Sequence, residues 1–402
     1  MTGVTLDRDQ CLALDAADPL RPFKNEFVLP EGVIYLVGNS LGALPRRTAE
    51  RVRRTVEDEW GAQLVGGWNH AGWYDQPLAL GDRIAPLIGA GPGQVVVGNS
   101  TSIAVYQSVA AALRLRRERR VIVSDTRNFP TDHYMVQGLA ALLGDYELRD
   151  IGERRFDDAA VVLLSEVDYR TGARQDVPAV TAEAHAAGAL IVWDLCHSVG
   201  AMEVDVSGAD FAVGCTYKYL NAGPGAPAFL YVNPRHQAAA ENVLPGWHGH
   251  AEPFAFETGY RPAEGVRRFA VSTPHVLSFA ALDAALDVWE RVPMAQVRAK
   301  SMALGELFVQ LVGDRLELAS PADPAARGSQ VSLRHPDGYP VMRALIDRGV
   351  HGDFRAPDVL RFGFAPLYIG YADVYDAATT LLEVLDKELW RDDRYATRLA
   401  VT

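Results

Sequence analysis

The chain has 402 residues, of which 49% are hydrophobic and 22% charged, and its formal net charge at pH 7 is −12. This composition is typical of a globular protein with one large and one small domain, and it excludes a disordered chain. The acidic charge disfavours nucleic acid and anionic membranes as partners, because both repel a negative surface.

Short apolar runs in the first part of the chain predict buried strands, namely Gln94–Val97, Arg120–Val123, Ala160–Leu164, Leu190–Trp193, Phe211–Cys215 and Ala228–Val232. Longer Ala-rich stretches with helical spacing lie between several of them, at Ser102–Leu113, Thr131–Leu143 and Val177–Ala187. This alternation predicts an α/β fold with a mainly parallel sheet that is covered on both faces. The last strands follow one another closely, which predicts an antiparallel member.

The pattern changes after about Ser272. Two long amphipathic helices, two short strands and a final helix are predicted at Val276–Glu290, Met294–Val312, Gln330–Arg334, Val359–Phe364 and Asp373–Trp390, with a surface loop at Pro321–Gly328. We therefore predict three regions: an N-terminal segment, 1–50, that packs with the small domain, a large domain, 51–275, and a small α+β C-terminal domain, 276–402.

Only three cysteines occur, Cys11, Cys196 and Cys215. A sparse, odd set provides no disulfide framework, and its spacing matches no zinc motif, so no metal is expected. The first 20 residues contain no apolar run typical of a signal peptide, and no stretch reaches the roughly 18 apolar residues of a membrane helix. These features predict a cytoplasmic protein.

Two chemically important residues follow predicted strands. Asp194 comes directly after Leu190–Trp193, and Lys218 follows Phe211–Cys215. Active sites of open α/β sheets lie beyond the carboxyl ends of the strands. A pyridoxal 5'-phosphate site needs such a pair, because the lysine amine forms a Schiff base with the cofactor aldehyde and the carboxylate keeps the pyridine nitrogen protonated. Taken alone, the two residues are more often an aspartate that caps a helix and a lysine on the surface.

Two further segments fit the same cofactor. Ser100 and Thr101 follow the first strand and begin a helix, where backbone N–H groups and two hydroxyls could bind a phosphate dianion. Phe129, after the second strand and a turn, could stack on the pyridine ring. A simple Ser/Thr helix cap and a core phenylalanine remain the alternatives.

The sequence resembles the kynureninase family of fold-type I pyridoxal-phosphate enzymes, related to class V aminotransferases. The resemblance is carried by Gly-Asn-Ser-Leu-Gly at 38–42, Phe-Pro-Thr-Asp at 129–132, Asp-Leu-Cys-His at 194–197, Tyr-Lys-Tyr-Leu-Asn-Ala-Gly at 217–223, Gly-Trp-His-Gly-His at 246–250, Ser-Thr-Pro at 272–274 and Leu-Arg-Phe-Gly-Phe-Ala-Pro-Leu-Tyr at 360–368. It implies a large domain with a mainly parallel seven-stranded sheet and a small C-terminal domain. The implied activity is hydrolysis of L-kynurenine, and possibly of 3-hydroxy-L-kynurenine, to anthranilate and L-alanine, in tryptophan catabolism and NAD biosynthesis.

The resemblance also implies roles for individual residues. Lys218 is the expected Schiff-base lysine and the base at the substrate Cα, and Tyr217 is the first candidate for the general acid. The expected cofactor contacts are Ser100, Thr101, Phe129, Asp132, Ser165, Asp194, His197, Tyr217, Lys218, Trp247 and Thr273. Because Trp247 and Thr273 match positions that reach the cofactor of the neighbouring subunit, the family implies a homodimer with shared active sites.

The expected substrate contacts are Asn39, Ser40, Trp68, His70, His248 and Arg361. Arg361 matches the arginine that binds the substrate α-carboxylate, a task that suits a bidentate guanidinium. His248 departs from the family pattern, which has Phe at this position. Thr273 favours unhydroxylated kynurenine. The alternative function is that of a cysteine desulfurase or selenocysteine lyase, which needs a reactive cysteine on a mobile loop, whereas Cys196 and Cys215 are expected to be buried.

Overall fold

A computed structural model of the protein describes residues 6–152 and 154–399, so the outermost residues of the two predicted terminal regions lie outside it. Its strands are β1 (Phe27–Val28), β2 (Ile34–Tyr35), β3 (Leu44–Pro45), β4 (Val95–Gly98), β5 (Val121–Ser124), β6 (Glu147–Asp150), β7 (Ala159–Ser165), β8 (Leu190–Asp194), β9 (Phe211–Cys215), β10 (Ala228–Val232), β11 (Glu317–Leu318), β12 (Gln330–Arg334), β13 (Val350–His351), β14 (Asp353–Arg355) and β15 (Val359–Gly363). Its α-helices are α1 (Arg8–Ala17), α2 (Thr48–Arg54), α3 (Gly67–His70), α4 (Gln76–Ile84), α5 (Thr101–Leu115), α6 (Pro130–Leu143), α7 (Val177–Ala186), α8 (Pro234–Gln237), α9 (Val276–Trp289), α10 (Met294–Val312), α11 (Gly338–Ile346) and α12 (Tyr371–Asp386).

The largest sheet of the described chain has seven strands in the order β4, β10, β9, β8, β7, β5, β6. Neighbouring strands run parallel from β9 to β6, whereas β10 is antiparallel to both β4 and β9. The predicted mainly parallel sheet with an antiparallel member is therefore confirmed.

Alternate residues of the sheet pack into different cores. Val95 and Val97 of β4 belong to one cluster of buried side chains, whereas Val96 between them belongs to another. Successive side chains of a strand point to opposite faces. Residues of α5 and α6 contribute to the second cluster, and residues of α4, α7 and α9 to the first. Helices thus cover both faces, as near-continuous apolar strands require.

The smaller sheet has the order β11, β12, β15, β14, with antiparallel neighbours, and lies in the C-terminal part of the chain. The N-terminal segment reaches this part, because β2 pairs with β13 in parallel and Val37 forms a bridge with Gly363. The boundaries of the three predicted regions stay a prediction. Among the described residues, no helix combines the length and apolar character needed to cross a membrane.

Three of the differences from the sequence-based expectations have a clear physical reason. Strand β6 was not predicted, since its sequence Glu-Leu-Arg-Asp is charged, and it forms the edge of the sheet, where no apolar run is required. Helix α12 begins before Asp373, because this carboxylate accepts a hydrogen bond from the backbone N–H of Gly370 at 2.8 Å, inside the first turn. The prediction of a surface loop at Pro321–Gly328 is wrong for Arg327, which is buried and donates to the carbonyl of Pro321 at 2.8 Å.

Candidate active site

The carboxyl ends of five strands, β4, β5, β7, β8 and β9, meet at one edge of the large sheet. The loops that follow them, together with the segment after β2 and two strands of the small sheet, enclose a cavity of about 230 Å³. Its lining consists of Asn39, Ser40, Ser100, Thr101, Ser102, Phe129, Thr131, Asp132, Ser165, Val167, Tyr169, Asp194, Cys196, His197, Tyr217, Lys218, Arg355 and Arg361. The structure therefore brings most of the sequence-predicted site residues together.

Lys218 and Asp194 lie on neighbouring strand ends. The Nζ atom of Lys218 is 2.9 Å from Nε2 of His197. Burial, followed by the charge of Lys218, lowers the pKa of His197 well below its usual value, so this imidazole is neutral and can accept a hydrogen bond. One oxygen of Asp194 accepts the backbone N–H of Cys196 at 2.8 Å, and the other lies 3.4 Å from the hydroxyl of Ser165.

Several buried polar atoms of this cavity lack hydrogen-bond partners in the described part of the chain: Oδ1 of Asn39, Oδ2 of Asp132 and Nδ1 of His197. Such atoms cost free energy unless a ligand or water satisfies them. Burial, and next the charge of Asp194, raises the pKa of Asp132 well above its usual value. The cavity is thus suited to a polar ligand with several hydrogen-bonding groups.

The start of α5 forms one wall of the cavity. Ser100 is the N-cap residue, yet its side chain makes no capping hydrogen bond with the described residues. Three successive hydroxyl residues, Ser100 to Ser102, line the cavity at this helix end, where the first backbone N–H groups have no partner within the helix. Asn99, with φ of 52°, makes the turn into the helix. This arrangement provides donors for a phosphate group.

The Gly-Asn-Ser-Leu-Gly segment packs directly on the loop of Lys218. The N–H of Gly42 donates to the carbonyl of Tyr217 at 2.8 Å. A Cβ atom on Gly42 would lie 2.2 Å from the carbonyl oxygen of Lys218 and 2.5 Å from Nδ2 of Asn221, so only glycine permits this approach. The tight contact holds the preceding residues, Asn39 and Ser40, against the cavity.

Arg361 is almost fully buried, with 1% of its surface exposed. Its Nε donates to Asp353 at 2.6 Å, its Nη2 donates to the other oxygen of Asp353, and its Nη1 donates to the carbonyl of Tyr169. Asp353 lies directly across the strand pair β14–β15. Arg361 therefore enters the cavity as a member of an ion pair.

Five predicted residues do not line this cavity. Trp68, Trp247 and His248 belong to an aromatic cluster, in which the ring centroids of Trp68 and Trp247 are 5.7 Å apart and those of Trp247 and His248 are 5.0 Å apart. His248 also lies 2.8 Å, by Nε2, from the carbonyl of Tyr74. Thr273 and His70 are exposed on the same chain. The chain by itself thus leaves these five residues outside the Lys218 cavity.

Six lining residues were missed by the sequence analysis: Ser102, Thr131, Val167, Tyr169, Cys196 and Arg355. Most of them neighbour predicted residues, so their position after a strand end was the available signal. Arg355 is different, because it depends on the pairing of β14 with β15, which the sequence pattern did not indicate.

The residues present fit pyridoxal phosphate. Lys218 offers an amine and Asp194 a carboxylate at the cavity wall, the start of α5 offers hydroxyl groups that suit a phosphate, and Phe129 offers a half-exposed ring. The unsatisfied atoms of Asn39 and His197 provide further polar contacts. In the described range, no group of three or more His, Cys, Asp or Glu residues could hold a metal ion.

Comparisons of the sequence with known proteins point to one family. The family model "Kynureninase C-terminal domain" matches residues 297–381. Kynureninase from Burkholderia pseudomallei (strain 1106a) is 50% identical over 413 residues, covering 98% of this chain and 99% of that protein.

Solved structures agree at the level of the fold. The apo structure of a cysteine desulfurase from Thermococcus onnurineus NA1 superposes with a TM-score of 0.76 at 20% identity, covering 91% of this chain and 98% of that one. A C-DES mutant with glycine covalently linked to its PLP cofactor superposes with a TM-score of 0.74 at 17% identity, covering 89% and 98%. These likenesses confirm the predicted fold-type I architecture, and the identity to the Burkholderia protein over nearly the whole length means that the chain belongs to the kynureninase family.

Proposed function

We propose that this protein hydrolyses the Cβ–Cγ bond of L-kynurenine, with pyridoxal 5'-phosphate as cofactor, to give anthranilate and L-alanine. The observation that carries the proposal is that Lys218, Asp194, the start of α5 and Arg361 surround one cavity in a chain of this family. The reaction would belong to tryptophan catabolism.

The cofactor, when bound, supplies an electron-accepting ring that stabilises negative charge next to the substrate nitrogen. Ser100 and Thr101 would hold its phosphate, Asp194 its ring nitrogen, and Phe129 one face of its ring. Ser165, Asp132 and His197 would complete this shell, since His197 is already adjacent to the Lys218 amine.

The chain's own groups would manage the protons. Lys218 Nζ is suited to remove the proton from the substrate Cα, because its neighbour His197 is neutral and can accept a hydrogen bond from the amine. Burial raises the pKa of Tyr217 above its usual value, so its phenol stays protonated and can donate at the substrate carbonyl oxygen or β-carbon. Water adds to the γ-carbonyl carbon, and the Cβ–Cγ bond then breaks, so that the γ-carbon leaves as the carboxyl group of anthranilate while the β-carbon keeps the electron pair of the bond and takes up a proton to become the methyl group of L-alanine.

We also propose a homodimer in which Trp247 and Thr273 of one subunit complete the cavity of the other. The support is that neither residue lines the Lys218 cavity of its own chain, and that the ring of Trp247 lies 6.1 Å, between centroids, from that of the exposed Phe254. Phe254 and Phe256 are 66% and 83% exposed. Apolar groups of this size on a surface indicate an interaction site. Light scattering should give the mass of a dimer, and the Phe256→Asp substitution should weaken the association of the two subunits.

Substrate preference and location remain proposals as well. Thr273, His248, Trp68 and His70 are the candidates for contact with the aniline ring, and the short Thr273 side chain favours L-kynurenine over 3-hydroxy-L-kynurenine.

A cytoplasmic location is supported by the three free cysteines, because a reducing compartment keeps thiols free.

The desulfurase alternative is not favoured. It needs an exposed, reactive thiol, whereas Cys11, Cys196 and Cys215 are all buried. A hydrogen bond with Cys215, and next burial, raises the pKa of Cys196 well above its usual value, which disfavours the thiolate nucleophile. The desulfurase likeness, at 20% identity, concerns the fold alone.

The test is to follow anthranilate fluorescence after mixing cofactor-loaded protein with L-kynurenine, with 3-hydroxy-L-kynurenine in parallel. We expect prompt release of anthranilate, a faster rate with L-kynurenine, and loss of both turnover and visible absorbance in Lys218→Ala. A Lys218→Ala variant with full activity would contradict the proposal, as would wild-type protein that acts on L-cysteine but not on L-kynurenine.

A further inference from the structure

The expected carboxylate-binding residue, Arg361, is already largely occupied. A guanidinium has five N–H donors. Two of them are taken by the carboxylate of Asp353 and one by the carbonyl of Tyr169, so two remain for a ligand. The charge of Asp353 also cancels most of the attraction that Arg361 alone would exert on a second carboxylate.

Arg355 supplies the missing positive charge. It lies two residues after Asp353 on β14, on the same face of the strand, and it lines the same cavity. Its Nη2 is 3.3 Å from Oδ2 of Asp353 and 3.5 Å from the hydroxyl of Ser40, while its Nη1 donates to the carbonyl of Phe354 at 2.9 Å. Its side chain is 30% exposed, against 1% for Arg361.

The three charged groups form a chain in which Asp353 bridges two arginines. Burial lowers the pKa of Arg355, and the charge of Arg361 lowers it further. The charge of Asp353 raises this pKa but offsets the other two effects only in part. An arginine nevertheless stays protonated in proteins. Two guanidinium groups and one carboxylate leave one positive charge beside Ser40, at the cavity wall.

We propose that Arg355 is a second binding residue for the substrate α-carboxylate, next to Arg361. The inference rests on the proposed function, since L-kynurenine carries one carboxylate and no other anionic group. With that carboxylate bound, two guanidinium groups face two carboxylates and the local charge is balanced. In this arrangement Asp353 orients Arg361, and Arg355 provides both N–H donors and the net charge that draws the substrate in.

Two other roles for Arg355 make different predictions. If it only supported Asp353, its removal would weaken every ligand of the site, whether or not the ligand carries a carboxylate. If it bound the γ-carbonyl oxygen of the substrate, removal would slow kynurenine turnover without affecting a ligand that lacks this group. L-Alanine and L-alaninamide distinguish these cases, because the second carries a neutral amide in place of the carboxylate.

The experiment titrates the cofactor-loaded protein with each compound and follows its visible absorbance. We expect Arg355→Gln to weaken L-alanine binding roughly tenfold or more, as for a lost charge-assisted hydrogen bond, while L-alaninamide binding stays within about twofold. Arg355→Lys keeps the charge but loses the planar fork of N–H donors, so its affinity for L-alanine should lie between those of the wild type and Arg355→Gln. The control is Arg334→Gln, which removes an arginine of β12 that pairs with Asp358 outside the cavity and should change neither affinity.

The inference would be overturned if Arg355→Gln bound L-alanine and L-alaninamide more weakly by the same factor. It would also be overturned if this variant bound L-alanine as the wild type does but turned over kynurenine more slowly. Far-ultraviolet circular dichroism checks that each variant folds. If Arg355→Gln does not fold, Arg355→Lys takes its place, and the quantity compared is the ratio of the affinity for L-alanine to the affinity for L-alaninamide. A ratio equal to that of the wild type refutes the role. The titrations use no kynurenine, so their result stands apart from the anthranilate assay.

Discussion

Replacing Gly42 by alanine tests the contact between the N-terminal segment and the lysine loop. The new methyl group would lie 2.2 Å from the carbonyl oxygen of Lys218, and the hydrogen bond from Gly42 to Tyr217 would break as the segments separate. Overpacking costs about 1–3 kcal/mol and a lost hydrogen bond about 1 kcal/mol, so we expect a loss of about 2–4 kcal/mol in the free energy of unfolding. Turnover should fall roughly a hundredfold, because the loop carries the Lys218 amine.

The assay is urea unfolding followed by circular dichroism, together with the anthranilate assay. Gly138→Ala is the matched control. Gly138 lies inside helix α6, and apart from its chain neighbours and the backbone of its own helix no heavy atom of the described residues comes within 4 Å of the place that an added methyl group would take. The same substitution should therefore raise stability by about 0.4–1 kcal/mol. A Gly42→Ala protein as stable and active as the wild type would refute the packing argument.

Substitutions of Asp194, Cys196 and Asp210 test the site and the core. Asp194→Asn should retain the fold but lower turnover more than roughly a hundredfold, measured as anthranilate release, because the amide cannot hold a proton on the cofactor ring. Cys196→Ala should keep turnover within a few-fold of the wild type, and loss of activity would instead favour a cysteine-dependent reaction. Asp210→Asn should destabilise the protein by about 2 kcal/mol above pH 5, a value discounted for the partial exposure of its partners. Burial alone would raise the pKa of Asp210, but hydrogen bonds from two histidines and an arginine hold it below its usual value. This stability is therefore complete above the unfolded pKa near 4 and is lost on acidification, so urea midpoints of the two proteins should converge below about pH 4.

Residues that act within one strand or loop were predictable from the sequence. Strands β9, β10 and β12 have the predicted bounds, because each is a buried apolar run bordered by turn residues. The same logic located Asp194 and Lys218 at strand ends, and the positions of the cavity residues follow from parallel strands that end at one edge. Strand β6 has no such run, and an edge strand gives little signal.

Features that depend on pairing between distant segments were not predictable. The Asp353–Arg361 ion pair requires the register of β14 against β15, and the burial of Arg327 requires an irregular segment whose carbonyls happen to face its guanidinium. Trp247 and Thr273 illustrate a further limit, because their expected role concerns a second copy of the chain. A single sequence carries no direct signal for any of these contacts.

The pairing of β2 with β13 has a consequence for synthesis of the protein. Ile34 pairs with Val350, and the next segment brings Asn39 and Ser40 to a cavity that also needs Arg361. More than three hundred residues separate these partners in the chain, so the contact is of high sequence separation and is expected to form late. A nascent chain on the ribosome can fold the large sheet early and can pack Gly42 on the Lys218 loop, but β2 has to wait for its partner strand β13. The site can therefore be completed only after Arg361 itself has been synthesised and has left the ribosome.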